Sequence, residues 1–328
     1  MKWAGGGRFV RTGIDLGTGS VKLVRGVGGS SLEQVTHVGI EEWDPPGEQL
    51  EEARASAALS RLLARLKLRR AALGRIAVGV GGDQVSLREV SLPKLSEREM
   101  RRALPYEAKK HLSTEAMESP CLDFQILGPA PASDDGSTEE MRVLLVAAPR
   151  ALRNFPIRVL GRAGLEPEVI DLEALAGLNA LHALGPPKAA ASDGALGYLD
   201  LGGAQAALHV VHPDGGFVVR TVGPGADSGA RDGRSAYVSE LATRIRETIT
   251  FFRGRHRRGM AEIRVAGGGA LIAGLPGELA KSLEIPVEVV DPLKGLAEKA
   301  RGVESVAASA ARLVTACGLC RWWGEARV

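Results

Sequence analysis

Asp15-Leu16-Gly17-Thr18-Gly19-Ser20-Val21-Lys22 is the stretch on which the reading of this chain turns. The apolar run before it, residues 9–15, reads as a buried strand that delivers Asp15 to its end. Two glycines then let the backbone reverse tightly, leaving N–H groups free to cradle an anion. Thr18 and Ser20 add hydroxyl donors. Lys22, on the outgoing strand at 21–27, can reach back to a phosphate as a point charge. Asp15 would repel phosphate directly, so its natural role is to hold a hydrated Mg²⁺. Taken alone, the stretch is equally a plain hairpin with a polar turn. The chain has no GxxxxGK[ST] run, which excludes a P-loop.

Outward from this hairpin, Gly28-Gly29 turns the chain again and residues 32–40 complete a three-strand meander. The pattern returns in the second half. A strand at 195–200 ends in Asp200-Leu201-Gly202-Gly203, a second strand covers 206–211, a turn falls at 212–215, and a third strand covers 217–222. An internal repeat of this kind predicts two lobes of similar fold. Two such hairpins facing each other would clamp a polyphosphate from both sides. A third glycine turn, Gly267-Gly268-Gly269, stands between a strand at 263–266 and a helix at 274–283. Glycine there admits a flat base or ribose close to the backbone, beside the free N–H groups of a helix start.

Between the meanders the pattern predicts helices at 48–66, 96–111 and 149–164. The second carries a capping box, with Ser96 three residues before Glu99. Residues 76–80 are apolar without alternation, as in a strand buried on both faces. Strands are expected at 85–92, 121–127, 142–147 and 168–171, with a Pro-, Ser- and Asp-rich loop at 128–140. Further on, helices are expected at 238–253 and 307–322, and a strand at 287–290. A duplicated antiparallel opening departs from the βαβ-first order of dinucleotide-binding sheets.

Composition narrows the function. A net charge of +3 is too mild for a dedicated nucleic-acid binder. The densest basic run is Arg253-Gly254-Arg255-His256-Arg257-Arg258, read either as a solvated helix end or as a contact for anionic lipid headgroups. Three cysteines argue against a disulfide framework and for a reducing compartment. Cys317-Gly-Leu-Cys320 has the spacing of a redox or metal pair, although two small core residues explain it as well. The first eleven residues lack the apolar run of a secretion leader. The most apolar segment, 303–320, is interrupted by Glu304 and Arg312, so any membrane contact is expected to be indirect.

The three glycine motifs together resemble the two phosphate motifs and the adenosine motif of the actin, DnaK-type chaperone and sugar kinase superfamily. The residues between them resemble one branch, the PilM family of type IV pilus assembly proteins. Those residues are Val90-Ser91-Leu92-Pro93 with Ser96-Glu97-Arg98-Glu99-Met100, then Tyr106-Glu107-Ala108, Leu122-Asp123-Phe124, Gly164-Leu165-Glu166-Pro167 and Asp171-Leu172-Glu173-Ala174-Leu175-Ala176. Phe251-Phe252-Arg253, Ile285-Pro286-Val287 and Gly318-Leu319 extend the likeness to the end of the chain.

The resemblance implies an α/β, two-lobed actin-like (ribonuclease H-like) fold. A first lobe would cover 1–172, with a small α+β partner-binding subdomain inserted at about 82–164. A second lobe would cover 173–306, and a C-terminal helix at 307–328 would return to the first lobe. ATP or ADP with Mg²⁺ would bind through Asp15, Gly17, Thr18, Gly19, Ser20, Lys22, Asp200, Gly202, Gly203, Gly267, Gly268 and Gly269. Asp15 and Asp200 would hold the metal through water. The implied partner is the N-terminal tail of a PilN-like inner-membrane protein, with other pilus components beside it and room for a ring or homo-oligomer. The implied location is the cytoplasmic face of the inner membrane.

The sequence also departs from the family pattern. Ala206 stands where a threonine is usual, residues 223–234 lack the usual threonine-led helix start, and His111-Leu112-Ser113-Thr114 replaces an Ile-Pro-Phe-like run. These departures predict at most a slow ATPase. The competing readings are a kinase of the same fold, with Asp171 or Glu173 as base, a filament former, or a type II secretion component.

Overall fold

The computed structural model describes residues 8–43, 52–112, 117, 119–130, 139–185, 194–211, 217–229 and 233–322. The turn expected at 212–215, Ser113 and Thr114 lie outside these residues.

The first half opens with the expected meander: β1 (Phe9–Leu16), β2 (Ser20–Gly28) and β3 (Gln34–Glu42). Helix α1 (Glu52–Arg65) follows, then β4 (Arg75–Val80). Next come β5 (Ser86–Pro93), α2 (Glu97–His111), β6 (Cys121–Pro129) and β7 (Glu140–Ala148). Helix α3 (Arg150–Arg162), β8 (Val169–Leu172) and α4 (Glu173–His182) lead to the second half. There, β9 (Ala195–Leu201), β10 (Gln205–Val211) and β11 (Phe217–Pro224) repeat the meander. A single turn α5 (Ala226–Gly229), the long α6 (Arg234–His256), β12 (Met260–Ala266), α7 (Leu275–Leu283) and β13 (Val287–Val289) follow. Two short helices, α8 (Val303–Val306) and α9 (Val314–Cys320), end the described chain.

The repeat is realised as two five-stranded sheets of the same topology, β3-β2-β1-β4-β8 and β11-β10-β9-β12-β13. In each, the meander is antiparallel and the last two strands join in parallel. Six consecutive residues of β1, Arg11 to Leu16, are buried. A central strand covered on both faces explains why its sequence does not alternate.

The inserted sheet β5-β7-β6 has a core of its own, in which Met100, Leu104 and Ala108 of α2 pack on Val143 and Leu145 of β7. Ser96 caps α2 as expected, accepting from Glu99 N while Glu99 Oε2 accepts from Ser96 N at 2.8 Å. The insertion ends earlier than the expected residue 164. Val159 and Leu160 of α3 lie in the first lobe's core with Ile14, Leu23 and Leu59, because the apolar face of α3 meets α1 and not the small sheet.

The chain also returns to the first lobe before residue 306. Leu296 O accepts from Val35 N at 2.8 Å, and Arg301 exchanges backbone bonds with Thr36 O and Val38 N along the free edge of β3. The final helix is shorter than expected. Residues 307–313 form a 3-10 helix, and only 314–320 are α-helical. Tertiary partners draw on the first part: Ala311 O accepts from Gly267 N, and Arg312 reaches Ser20 and Glu42. Residues 303–320 are apolar and long enough to cross a bilayer, yet 61% of that window is buried inside the protein. Helix α9 packs on β1, β2, β4 and α4. The approach is so close that a Cβ on Gly13 would stand 2.1 Å from Ala316 O, and one on Gly318 would stand 1.7 Å from Ala176 O.

Candidate functional site

Strand register sets the centre of the site. Asp15 and Lys22 face each other as a cross-strand pair of the β1–β2 hairpin, and Lys22 Nζ lies 3.0 Å from Asp15 Oδ2. The turn between them is closed by Gly17 N donating to Ser20 O, and Trp43 N ties it to the end of β3 through Gly19 O. A Cβ on Gly17 would lie 2.5 Å from Lys22 Nζ, so the glycine is what lets the ammonium fold over the turn. A Cβ on Gly19 would meet no atom within 4 Å, which leaves that side of the turn open to a ligand. Ser20 is buried, and its hydroxyl accepts from Arg312 Nη2 at 3.0 Å. No local pattern signals that contact, which spans almost the whole chain.

The second hairpin meets the first. One point, where a Cβ on Gly203 would stand, lies 3.2 Å from Thr18 Oγ1 and 2.5 Å from Asp227 Oδ2. Residues 225–227 are strapped to this turn, because Ala226 N and Asp227 N donate to Gly202 O and Gly203 O. Asp227 is thus a third acid of the cleft wall that sequence reasoning missed. The glycine turn at 267–269 packs against the end of β9. Gly267 has φ +87°, and a Cβ on it would stand 2.9 Å from Asp200 Oδ1, while Gly268 faces open space. Asp15, Lys22, Asp200 and all three glycine turns are therefore brought together.

Glu173, the first residue of α4, completes the cluster. Gly79 and Gly81 make room for it, since a Cβ on Gly81 would lie 2.1 Å from Glu173 Oε2. Burial pushes the Glu173 carboxyl up to about 8, with Asp15 and Asp200 adding repulsion and Lys22 opposing it. Burial also raises Asp200 to about 6, again with Asp15 adding and Lys22 opposing. One ammonium among these carboxylates leaves an excess of negative charge, so the donor set fits a polyphosphate that arrives with a divalent cation. Asp171, the other candidate base, is raised to about 6 by burial and is occupied locally, its Oδ1 accepting from Leu172 N at 2.8 Å.

One expectation fails on geometry. Ala206 does not remove a donor from the cleft, because its side chain is fully buried in the second lobe's core beside Leu208 and Val210. Position 206 lies on the face of β10 that turns away from the cleft. The Cys317–Cys320 pair also has a plain answer: both thiols are free and buried, and burial pushes Cys320 to about 12. The described residues hold no group of three or more His, Cys, Asp or Glu placed to hold a metal by themselves.

Two lobes of matched sheet topology, joined where their glycine hairpin turns meet, define an actin-like protein. Solved structures agree. A PilM–PilN type IV pilus biogenesis complex superposes with TM-score 0.74 at 23% identity, covering 94% of this chain and 97% of that one. A diol dehydratase-reactivating factor in nucleotide-free form superposes with TM-score 0.52 at 8% identity, covering 95% and 99%. The sequence model of the type IV pilus assembly protein PilM matches residues 13–227 and 234–321, and the chain belongs to that family. No curated protein sequence matches it.

Proposed function

We propose that this chain is a cytoplasmic, ATP- or ADP-binding adaptor of type IV pilus assembly that docks the N-terminal tail of a PilN-like inner-membrane protein. The observation that carries the nucleotide half is the meeting of the two hairpin turns at Thr18 and Gly203, above Asp15, Lys22 and Asp200. Gly17, Thr18, Gly19, Ser20, Lys22, Gly202 and Gly203 would hold the phosphates, and Gly267, Gly268 and Gly269 the nucleoside. Asp15 and Asp200 would hold Mg²⁺ through water; the bound ion neutralises phosphate charge that these carboxylates otherwise repel. Bound nucleotide would then act by biasing closure of the two lobes.

The inserted subdomain supports the docking half. Its sheet is small, β6 is an edge strand, and α2 leaves Tyr106 70% exposed. An extended peptide can add to such an edge through backbone hydrogen bonds and side-chain pockets. That a PilM–PilN complex has this fold supports a PilN-like protein as the partner, and its N-terminal tail is the segment we assign to this edge. The test is titration of that tail peptide into the full chain and into a chain whose residues 85–148 are replaced by a short linker, with and without nucleotide. Binding confined to the full chain supports the reading, and equal binding to both overturns it.

Glu173 favours a second reading, slow ATP turnover. A carboxyl held near pH 8 is mostly protonated at neutral pH and cannot accept a proton from water. Turnover would then be far below the usual enzyme value of about 10 per second and would rise toward alkaline pH.

A further inference from the structure

We infer that the C-terminal end of α6 is a contact surface for anionic lipid headgroups. The basic run at 253–258 takes no part in the cleft. Strands β9 and β12 run parallel, with Ala195 paired to Met260 at one pole and Asp200 to Ala266 at the other. Helix α6 ends at His256, three residues short of β12, so its last turn sits near the Ala195–Met260 pole of the second lobe, away from the glycine turns after Asp200 and Ala266. A surface engaged there leaves the nucleotide cleft open.

The pole is both charged and amphipathic. Arg253, Arg255 and Arg257 are exposed, and Arg258 follows them. Phe251 is one turn before Arg255 and is 42% exposed, with the guanidinium of Arg220, from β11, stacked 4.2 Å above its ring. Phe252, its neighbour, is fully buried against His256, which anchors the helix end. Cations at a helix C-terminus do favour the backbone dipole. That effect accounts for Arg253 and Arg255. It accounts neither for Arg257, which stands past the helix in a left-handed turn at φ +54°, nor for an exposed phenylalanine under a fifth arginine.

The local charge is concentrated on a molecule whose total is only +3. Glu247, one turn before Phe251, is the acid that the helix itself places nearest on that side. Long arginine side chains can hold their stems against apolar surface while the heads meet phosphate, and an aromatic ring beside them suits the headgroup boundary. A helix end with one exposed ring offers little to a nucleic acid, which is bound by grooves or several stacked rings.

The experiment is co-sedimentation of the full chain with vesicles of phosphatidylglycerol and phosphatidylethanolamine, against vesicles of phosphatidylcholine alone. Binding to the anionic vesicles only is expected, with loss in about 1 M salt, where screening shortens charge interactions to roughly 3 Å. The triple substitution Arg253→Gln, Arg255→Gln, Arg257→Gln should weaken it on the order of 100-fold, at about a fivefold loss per charge. The triple Arg→Lys variant should keep binding, which separates lost charge from lost folding. Equal binding to both vesicle types, or no binding, overturns the proposal. So does unchanged binding in the Gln variant. Tighter, arginine-dependent binding to a random-sequence DNA duplex would assign the surface to nucleic acid instead.

Discussion

Lys22 Nζ stands 3.0 Å from Asp15 Oδ2, and both side chains are nearly closed off from water, at 13% and 9% exposure. Among the described residues, this ammonium is the cation that acts on both Asp200 and Glu173. Lys22→Ala should therefore weaken ADP binding by about 1–3 kcal/mol, the scale of a lost charge-assisted hydrogen bond. Asp15→Ala should weaken binding in Mg²⁺ but change it little in EDTA. Isothermal titration calorimetry reads both. An affinity that stays the same in Lys22→Ala would remove this lysine from the phosphate site.

Glu173 should make stability fall as pH rises. Its folded value, about 8, lies above the ordinary carboxylate value, so the folded chain holds a proton that the unfolded chain has released. Protonation therefore favours folding below about pH 4.5, and that advantage is lost progressively up to pH 8. Glu173→Gln mimics the protonated form. It should raise the melting temperature at pH 8, by an amount on the order of 4 kcal/mol in stability, and change it far less at pH 5. Thermal melts of both proteins at the two pH values decide the matter; equal differences would refute the assignment.

His209 acts in the opposite direction and lower on the pH scale. It is buried against Tyr198, with ring centroids 5.0 Å apart, and burial lowers it to about 4. The unfolded chain takes up a proton near pH 6.5 that the folded chain refuses. Its stabilising effect is complete above pH 6.5 and is lost as pH falls toward 4, to the extent of about 3 kcal/mol. A denaturant titration series from pH 7 to 4 should show the wild type losing about this much more stability than His209→Phe over the same range, whatever the slope the two share.

Gly13 and Gly318 set how closely α9 can approach its neighbours. A methyl group at either position meets backbone oxygen, at 2.1 Å and 1.7 Å, and backbone cannot swing aside as a side-chain tip can. Either glycine replaced by alanine should lose 3 kcal/mol or more, at about the upper end of over-packing effects. Gly19→Ala, whose Cβ points into open space, is the control, and its melting temperature should move far less.

The thiols should divide by burial. Cys317 and Cys320 are buried and raised, whereas Cys121 is partly exposed. A thiol reagent should modify one cysteine in the native chain and all three after unfolding, since only thiolate reacts. Rapid modification of Cys320 in native buffer would restore the redox reading.

The strands, the capping box of α2 and the three glycine turns were legible in the sequence, because each is a local matter. Alternation, turn residues and caps act over a few positions, and the repeat of Asp-Leu-Gly after a buried strand needs no partner to be recognised. What the sequence could not show was decided across long separations. Arg312 on Ser20, Glu173 in the gap left by Gly79 and Gly81, and Asp227 beside Gly203 are contacts between segments with no common pattern. Position 206 illustrates the limit: next to a glycine turn it reads as a site residue, yet the pleat of β10 turns it into the core. The last helix shows the same limit. Residues 307–322 have helical composition throughout, but Gly267 N and Arg312's partners tighten the first half into a 3-10 turn, an outcome fixed only when the two lobes pack.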